Sequence, residues 1–154
     1  MFPNGLVNAQ TIVLDSTAHS KKRVLEQAAE LLGQHIHSQR SDEILERLLE
    51  RERLGSTGLA DGVALPHARL PGLKQSRGAF IRLHEAVDFD SLDGKPVDLV
   101  FSLLVPEEAT DEHLQLLAQL AQLFQQENVR NQLRNTNLQQ TQQILSEVVA
   151  HHAA

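Results

Sequence analysis

One of the eight histidines in this chain stands apart by its neighbours. His67 follows Pro66 directly, at the exit of the short apolar run Val63-Ala64-Leu65 and just after the glycine-rich stretch Gly55-Ser56-Thr57-Gly58-Leu59-Ala60-Asp61-Gly62. Proline stiffens the backbone there, so the ring has a rigid support and an open face. A neutral imidazole, with an ordinary pKa of about 6.5, is available at neutral pH and attacks phosphorus without a separate activating base. That chemistry needs an anion to be stabilised beside the ring. Three features could do this: Arg51 at the end of a predicted helix, the backbone N–H groups of the Gly55 to Gly58 turn, and the N-terminus of a helix opening near Thr110, with His113 in its first turn.

Other chemistries fit less well. The chain has no cysteine, which excludes a disulfide framework, a thiolate nucleophile and a cysteine-based metal centre. His35 and His37 are two apart and do not share a helix face, His151 and His152 sit at a terminus expected to fray, and His19 and His84 have no visible partners, so no metal and no cofactor is expected. Asp88, Asp90 and Asp93 imitate a calcium loop, but Leu92 stands where a ligand is wanted and Gly94 falls one place late, which leaves a solvated acidic turn. A hydrolase built on Ser56, His67 and Asp61 lacks the Gly-x-Ser-x-Gly elbow. Gly55-Ser56-Thr57-Gly58 has neither the length nor the lysine of a Walker A loop, so direct use of ATP is not supported.

At 154 residues the chain has the length of one domain, expected to span 1–154 with its core at about 10–148. Fourteen Lys and Arg against 20 Asp and Glu give a net charge of −6, so neither nucleic acid nor an anionic membrane is an expected partner. The longest mostly apolar run, Leu99 to Val105, is far short of a membrane span, and a cytoplasmic protein is expected. With no Trp or Tyr and five Phe, the core is expected to be Leu, Val, Ile and Ala.

The elements that must position His67 follow from the apolar spacing. Val24, Leu25, Ala28, Leu31, Leu32 and Ile36 predict an amphipathic helix over 20–37, weakened by Gly33. A second helix is expected to start at Ser41 as N-cap, to bury Ile44, Leu45, Leu48 and Leu49, and to stop at Gly55. Val63 to Leu65 reads as a short strand followed by a loop, Gly78 to Leu83 as a second strand, and Val97 to Val105 as a third, buried on both faces. Asp93-Gly94 reads as a turn. After Pro106, Thr110, Asp111 and Glu112 open a largely buried helix with Leu114, Leu117, Leu120, Ala121 and Phe124; a short helical pattern at Val129 to Leu133 and a last helix with Ile144, Leu145, Val148 and Val149 follow. The order helix, helix, strand, strand, strand, helix, helix predicts an α/β fold with one sheet layered by helices.

The run from Arg51 through Leu65-Pro66-His67 resembles the active-site segment of the mannitol/fructose-type enzyme IIA domains of the bacterial phosphoenolpyruvate-dependent phosphotransferase system. Asp88 to Leu99, and Leu104-Val105-Pro106 followed by Glu112-His113-Leu114, resemble later blocks of the family, so the likeness covers most of residues 10–148. Within the family the standalone nitrogen-regulatory branch is the nearest match. The resemblance implies an α/β sandwich with a mixed sheet, a phosphohistidine intermediate and no cofactor. It implies His67 as phosphoryl acceptor, Arg51 as the guanidinium that orients the phosphoryl group, His113 as a second active-site histidine, and Ser56 and Thr57 as part of the phosphate-binding loop through geometry and hydrogen bonding. Many members have glycine after the acceptor histidine; here Ala68-Arg69 follows.

The partners so implied are a histidine-containing phosphocarrier protein as donor and regulatory target proteins as readers. Regulation is favoured over sugar transport because the chain carries no second phosphorylation domain. Onward transfer to a separate enzyme IIB, or docking without transfer, are the alternatives. A phosphoryl group of about two negative charges arriving at a docking face would switch it by repulsion and desolvation.

Overall fold

The computed structural model of the protein describes residues 6–34, 36, 40–108 and 111–153, and the side chains among these except for residues 112, 113 and 148–153. After a 3₁₀ turn (Ala9–Thr11) the order is β1 (Ile12–Ser16), α1 (Lys21–Gly33), α2 (Ser41–Leu54), β2 (Val63–Ala64), β3 (His67–Leu70), β4 (Arg77–Val87), β5 (Val97–Pro106), α3 (Asp111–Gln125), α4 (Glu127–Asn135) and α5 (Leu138–Ala153). The five strands form one mixed sheet. β4 and β5 run antiparallel at its centre, β1 adds in parallel to β4, and β2 and β3 both add in parallel to β5.

β2 and β3 are in effect one edge strand broken at Leu65-Pro66. Val63 and Ala64 pair with Leu99 and Val100; after the break His67 to Leu70 pair with Leu103 to Pro106. Pro66 has no N–H to give a ladder, but its carbonyl still accepts from Leu103 N–H at 2.9 Å. The sheet register is therefore carried across the break, and it fixes where His67 sits.

Helices cover both faces. α1 and α2 pack one face, with Val24, Leu25, Ala28, Ile44 and Leu48 against Ile81, Val100 and Leu104; α3, α4 and α5 cover the other through Leu116, Leu120, Phe124, Leu133 and Leu145. Ile44 and Leu48 are wholly buried, each worth roughly 1.5–3 kcal/mol, which holds α2 and its C-terminal Arg51 on the sheet. Four phenylalanines, Phe80, Phe89, Phe101 and Phe124, are among the largest fully buried side chains, so the core leans on aromatics more than its composition implied.

Several elements depart from expectation. α1 stops at Gly33, whose absent side chain would lie 3.3 Å from Ser41 Cβ; Ile36 still packs on the core from outside the helix. Ser41 is already helical and cannot cap; Arg40 precedes it without a side-chain cap and donates to Glu43 through Nε and Nη2, both at 2.9 Å. β1 was not anticipated, and β3 replaces a predicted loop. α3 buries Leu116, Leu120 and Phe124, one residue per turn, while Leu114 is 62% exposed rather than in the core. Thr110, His35 and His37 lie outside the described residues.

Candidate active site

His67 opens β3, half-buried, on the sheet face shared with Leu103 and Val105. Its Nδ1 lies 2.8 Å from the carbonyl oxygen of Leu65. A carbonyl only accepts, so Nδ1 carries the proton and Nε2 keeps its lone pair. Nε2 faces Arg51, whose Nε–H points to it at 3.4 Å, while Nη1 donates to the Gly55 carbonyl at 2.8 Å. The guanidinium is thus anchored on one side and turned to the imidazole on the other. Burial, aided by the Arg51 charge, holds the His67 pKa below the ordinary imidazole value; the Leu65 carbonyl and Glu52 oppose this without cancelling it. At neutral pH the ring is thus uncharged, with an Nε2 lone pair that could act as a nucleophile.

The ring opens onto a cleft of about 530 Å³ lined by Arg47, Arg51, Arg69, Val105 and Leu117 among others. Arg47 lies one helical turn before Arg51, a spacing that already places it on the same face; sequence analysis had not singled it out. Arg69 donates to the Glu107 carbonyl at 3.2 Å. Leu54 and Leu114, 85% and 62% exposed, border the same cleft and give it an apolar rim. His113 belongs to the first turn of α3, and its side chain is outside the described residues.

The glycine-rich turn does something other than cradle an anion with its N–H groups. Gly55 N–H donates to the Glu52 carbonyl at 3.1 Å, Thr57 N–H to the Glu52 carboxylate at 3.2 Å, and Gly58 N–H to Ser56 Oγ at 2.9 Å. Three of its four donors are therefore spent internally, because the turn must satisfy its own backbone. Ser56 Oγ also donates to the Phe89 carbonyl at 2.5 Å, and the Thr57 hydroxyl donates to Glu52. The arrangement excludes the Ser56-His67-Asp61 relay: Asp61 pairs with Lys95 at 3.5 Å and Arg130 at 3.7 Å, and Ser56 is committed to Phe89. Asp88 and Asp93 of the acidic turn likewise spend their carboxylates on backbone N–H groups. Asp88 accepts from Asp90 N–H, and Asp93 from the N–H groups of Asp61 and Lys95, which hold the Asp93 pKa down. Among the described residues no group of three or more His, Asp or Glu could hold a metal ion.

The model of the family described as "Phosphoenolpyruvate-dependent sugar phosphotransferase system, EIIA 2" matches residues 5–148. The chain belongs to this family. A nitrogen regulatory protein of Pseudomonas aeruginosa is 51% identical over 116 residues, 75% of each chain. A fructose-specific EIIA component of Haloferax volcanii is 40% identical over 109 residues, 70% of this chain and 71% of the relative. The crystal structure of the nitrogen regulatory protein IIA-Ntr from Neisseria meningitidis superposes with a TM-score of 0.87 at 47% identity, covering 92% of this chain and 97% of that one. Family membership makes the protein an EIIA-type phosphoryl-transfer component of the phosphotransferase system. Among the described residues no helix is long and apolar enough to cross a membrane.

Proposed function

We propose that this protein is a single-domain phosphocarrier, that His67 Nε2 accepts a phosphoryl group from a phosphohistidine carrier protein, and that its output is regulatory. The observation that carries the site assignment is the pairing of Nδ1 with the Leu65 carbonyl, which leaves Nε2 as the free nucleophile beside a guanidinium in an open cleft.

In the transfer, the bond from phosphorus to the carrier's histidine nitrogen breaks, that nitrogen keeping the electron pair, as the bond to His67 Nε2 forms. The transition state is loose and its charge lies on the phosphoryl oxygens, so positioning and electrostatics suffice. Arg51 supplies the guanidinium for those oxygens. The product ring keeps its Nδ1 proton and gains positive charge, which the Leu65 carbonyl stabilises. A protonated ring is also the better leaving group, so the phosphoryl group stays transferable. His113 is proposed as the second histidine of the site; the support is its place after Pro106 in the first turn of a helix whose Leu114 and Leu117 border the cleft. Ser56 and Thr57 are proposed to serve the phosphate site through the shape of the turn.

The regulatory reading rests on the nitrogen regulatory relatives at 51% and 47% identity. A doubly negative group added between Leu54 and Leu114 would change which protein surface the cleft rim accepts. The test of the site assignment is NMR of histidine-labelled protein after phosphorylation by a cognate carrier: phosphorus should couple to Nε2 of His67, and coupling to Nδ1 or to another histidine would refute it.

A further inference from the structure

We infer that Glu52 is a positioning residue of the phosphoryl-transfer site, holding both the His67 imidazole and the Arg51 guanidinium through the turn between α2 and β2; this rests on the phosphocarrier reading of His67. The Glu52 side chain is only 6% exposed, although it lies next to Arg51 near the end of a surface helix. Its carboxylate accepts from the Thr57 N–H at 3.2 Å and from the Thr57 hydroxyl, and pairs with Lys21 Nζ at 2.7 Å. A buried carboxylate persists only where its charge is matched and its lone pairs are used, and here both conditions are met by one turn and one lysine.

Two chains of contacts lead from Glu52 to the reacting atoms. The first runs through Thr57, whose carbonyl accepts from Leu65 N–H at 3.0 Å; the Leu65 carbonyl in turn accepts from His67 Nδ1–H at 2.8 Å. The second is indirect: the Gly55 carbonyl accepts from Arg51 Nη1 at 2.8 Å, and Gly55, whose own N–H donates to the main-chain carbonyl of residue 52, stands two residues before the Thr57 that the Glu52 carboxylate holds. The imidazole is therefore aligned through Thr57 by the Glu52 carboxylate, and the guanidinium by the turn that the same carboxylate closes. Lys21 braces the far side: it lies 5.3 Å from the Phe89 ring centre, donates to the Phe89 carbonyl at 3.4 Å, and that carbonyl also accepts from Ser56 Oγ. The first residue of α1 is thus tied to the turn that holds the site.

A positioning role predicts a particular kinetic pattern. Glu52→Gln keeps an acceptor for Thr57 but removes the nearer of the two carboxylates that pair with Lys21, leaving Asp90 at 3.6 Å, so the turn shifts while the apolar rim that would meet a carrier stays. The maximal rate of transfer from the phosphorylated carrier should fall on the order of tenfold, with the carrier concentration for half-maximal rate unchanged. Arg51→Lys made on top of Glu52→Gln should then cost less than about twofold, because the guanidinium is already out of place. Thr57→Val, which removes only the hydroxyl, should change the rate in the same direction by less and serves as the second background for the cycle should Glu52→Gln unfold. Wild-type protein run alongside separates the two claims: failure of wild type to accept from an active carrier sinks the phosphocarrier reading. Wild-type transfer with an unaffected Glu52→Gln, or with Arg51→Lys exerting its full effect in that background, overturns the role given to Glu52.

Discussion

Replacing Arg51 by lysine keeps the charge beside His67 and removes only the planar fork, so it isolates geometry from electrostatics. In the resting site Arg51 uses Nη1 on the Gly55 carbonyl at 2.8 Å and turns Nε to His67 at 3.4 Å. Once a phosphoryl group arrives at Nε2, the same side chain can keep its anchor and still offer Nε–H and Nη2 to two oxygens. An ammonium can serve the anchor or the phosphoryl group, not both. Charge-assisted hydrogen bonds are worth about 1.5–3 kcal/mol, and solvent screening of a half-exposed side chain brings the loss to roughly 1–2 kcal/mol. That corresponds to transfer about 5- to 30-fold slower. The assay is single-turnover rapid quench with phosphorylated carrier in excess, followed by intact mass. A rate within twofold of wild type would refute the bidentate role.

The rate of phosphoryl acceptance should be flat through neutral pH and fall on acidification, with its inflection below the ordinary imidazole value of about 6.5, because burial chiefly, and then Arg51, disfavour the charged ring. The same depression means that the unfolded chain binds the extra proton first, so the contribution of His67 to stability is full above about 6.5 and is lost as pH falls towards the folded-state value; an NMR titration of His67 at or above 6.5 would contradict both. Gly58→Ala should destabilise the fold by about 1–3 kcal/mol in urea titrations, since the new Cβ would lie 2.2 Å from Ser91 Oγ. Ser91→Ala should recover part of that loss, as it deletes a buried hydroxyl without a hydrogen-bond partner; a Gly58→Ala protein as stable as wild type would show that the turn yields freely.

The helices were legible where one apolar stripe meets one surface, as for Val24, Leu25 and Ala28 of α1 or Ile44 and Leu48 of α2. β5 was legible because it is buried on both faces and so reads as an unbroken apolar run. β1 was not, since five residues ending in Asp15-Ser16 become a strand only through parallel pairing with β4, far along the chain. β3 alternates as a strand should, Ala68 and Leu70 inward and Arg69 outward, but Pro66 read as the start of a loop. Local context and resemblance singled out His67 and Arg51, and the fold brings these two side chains together. The union of Lys21, Glu52 and Thr57 was not, because a lysine at one helix start and a glutamate near the end of another look like solvated charges until the fold joins them. Glycine-rich composition likewise promised free N–H groups, whereas the turn uses them on Glu52 and Ser56.

The central claim is tested most directly by intact-mass spectrometry at neutral to alkaline pH, after incubation with phosphoenolpyruvate, the first enzyme of the phosphotransferase system and its histidine carrier. The wild-type chain should gain the mass of one phosphoryl group, lose it on acidification as an N-phosphoryl bond does, and gain nothing as His67→Ala. No gain in wild type beside a carrier shown to be phosphorylated, or an undiminished gain in His67→Ala, would contradict the account.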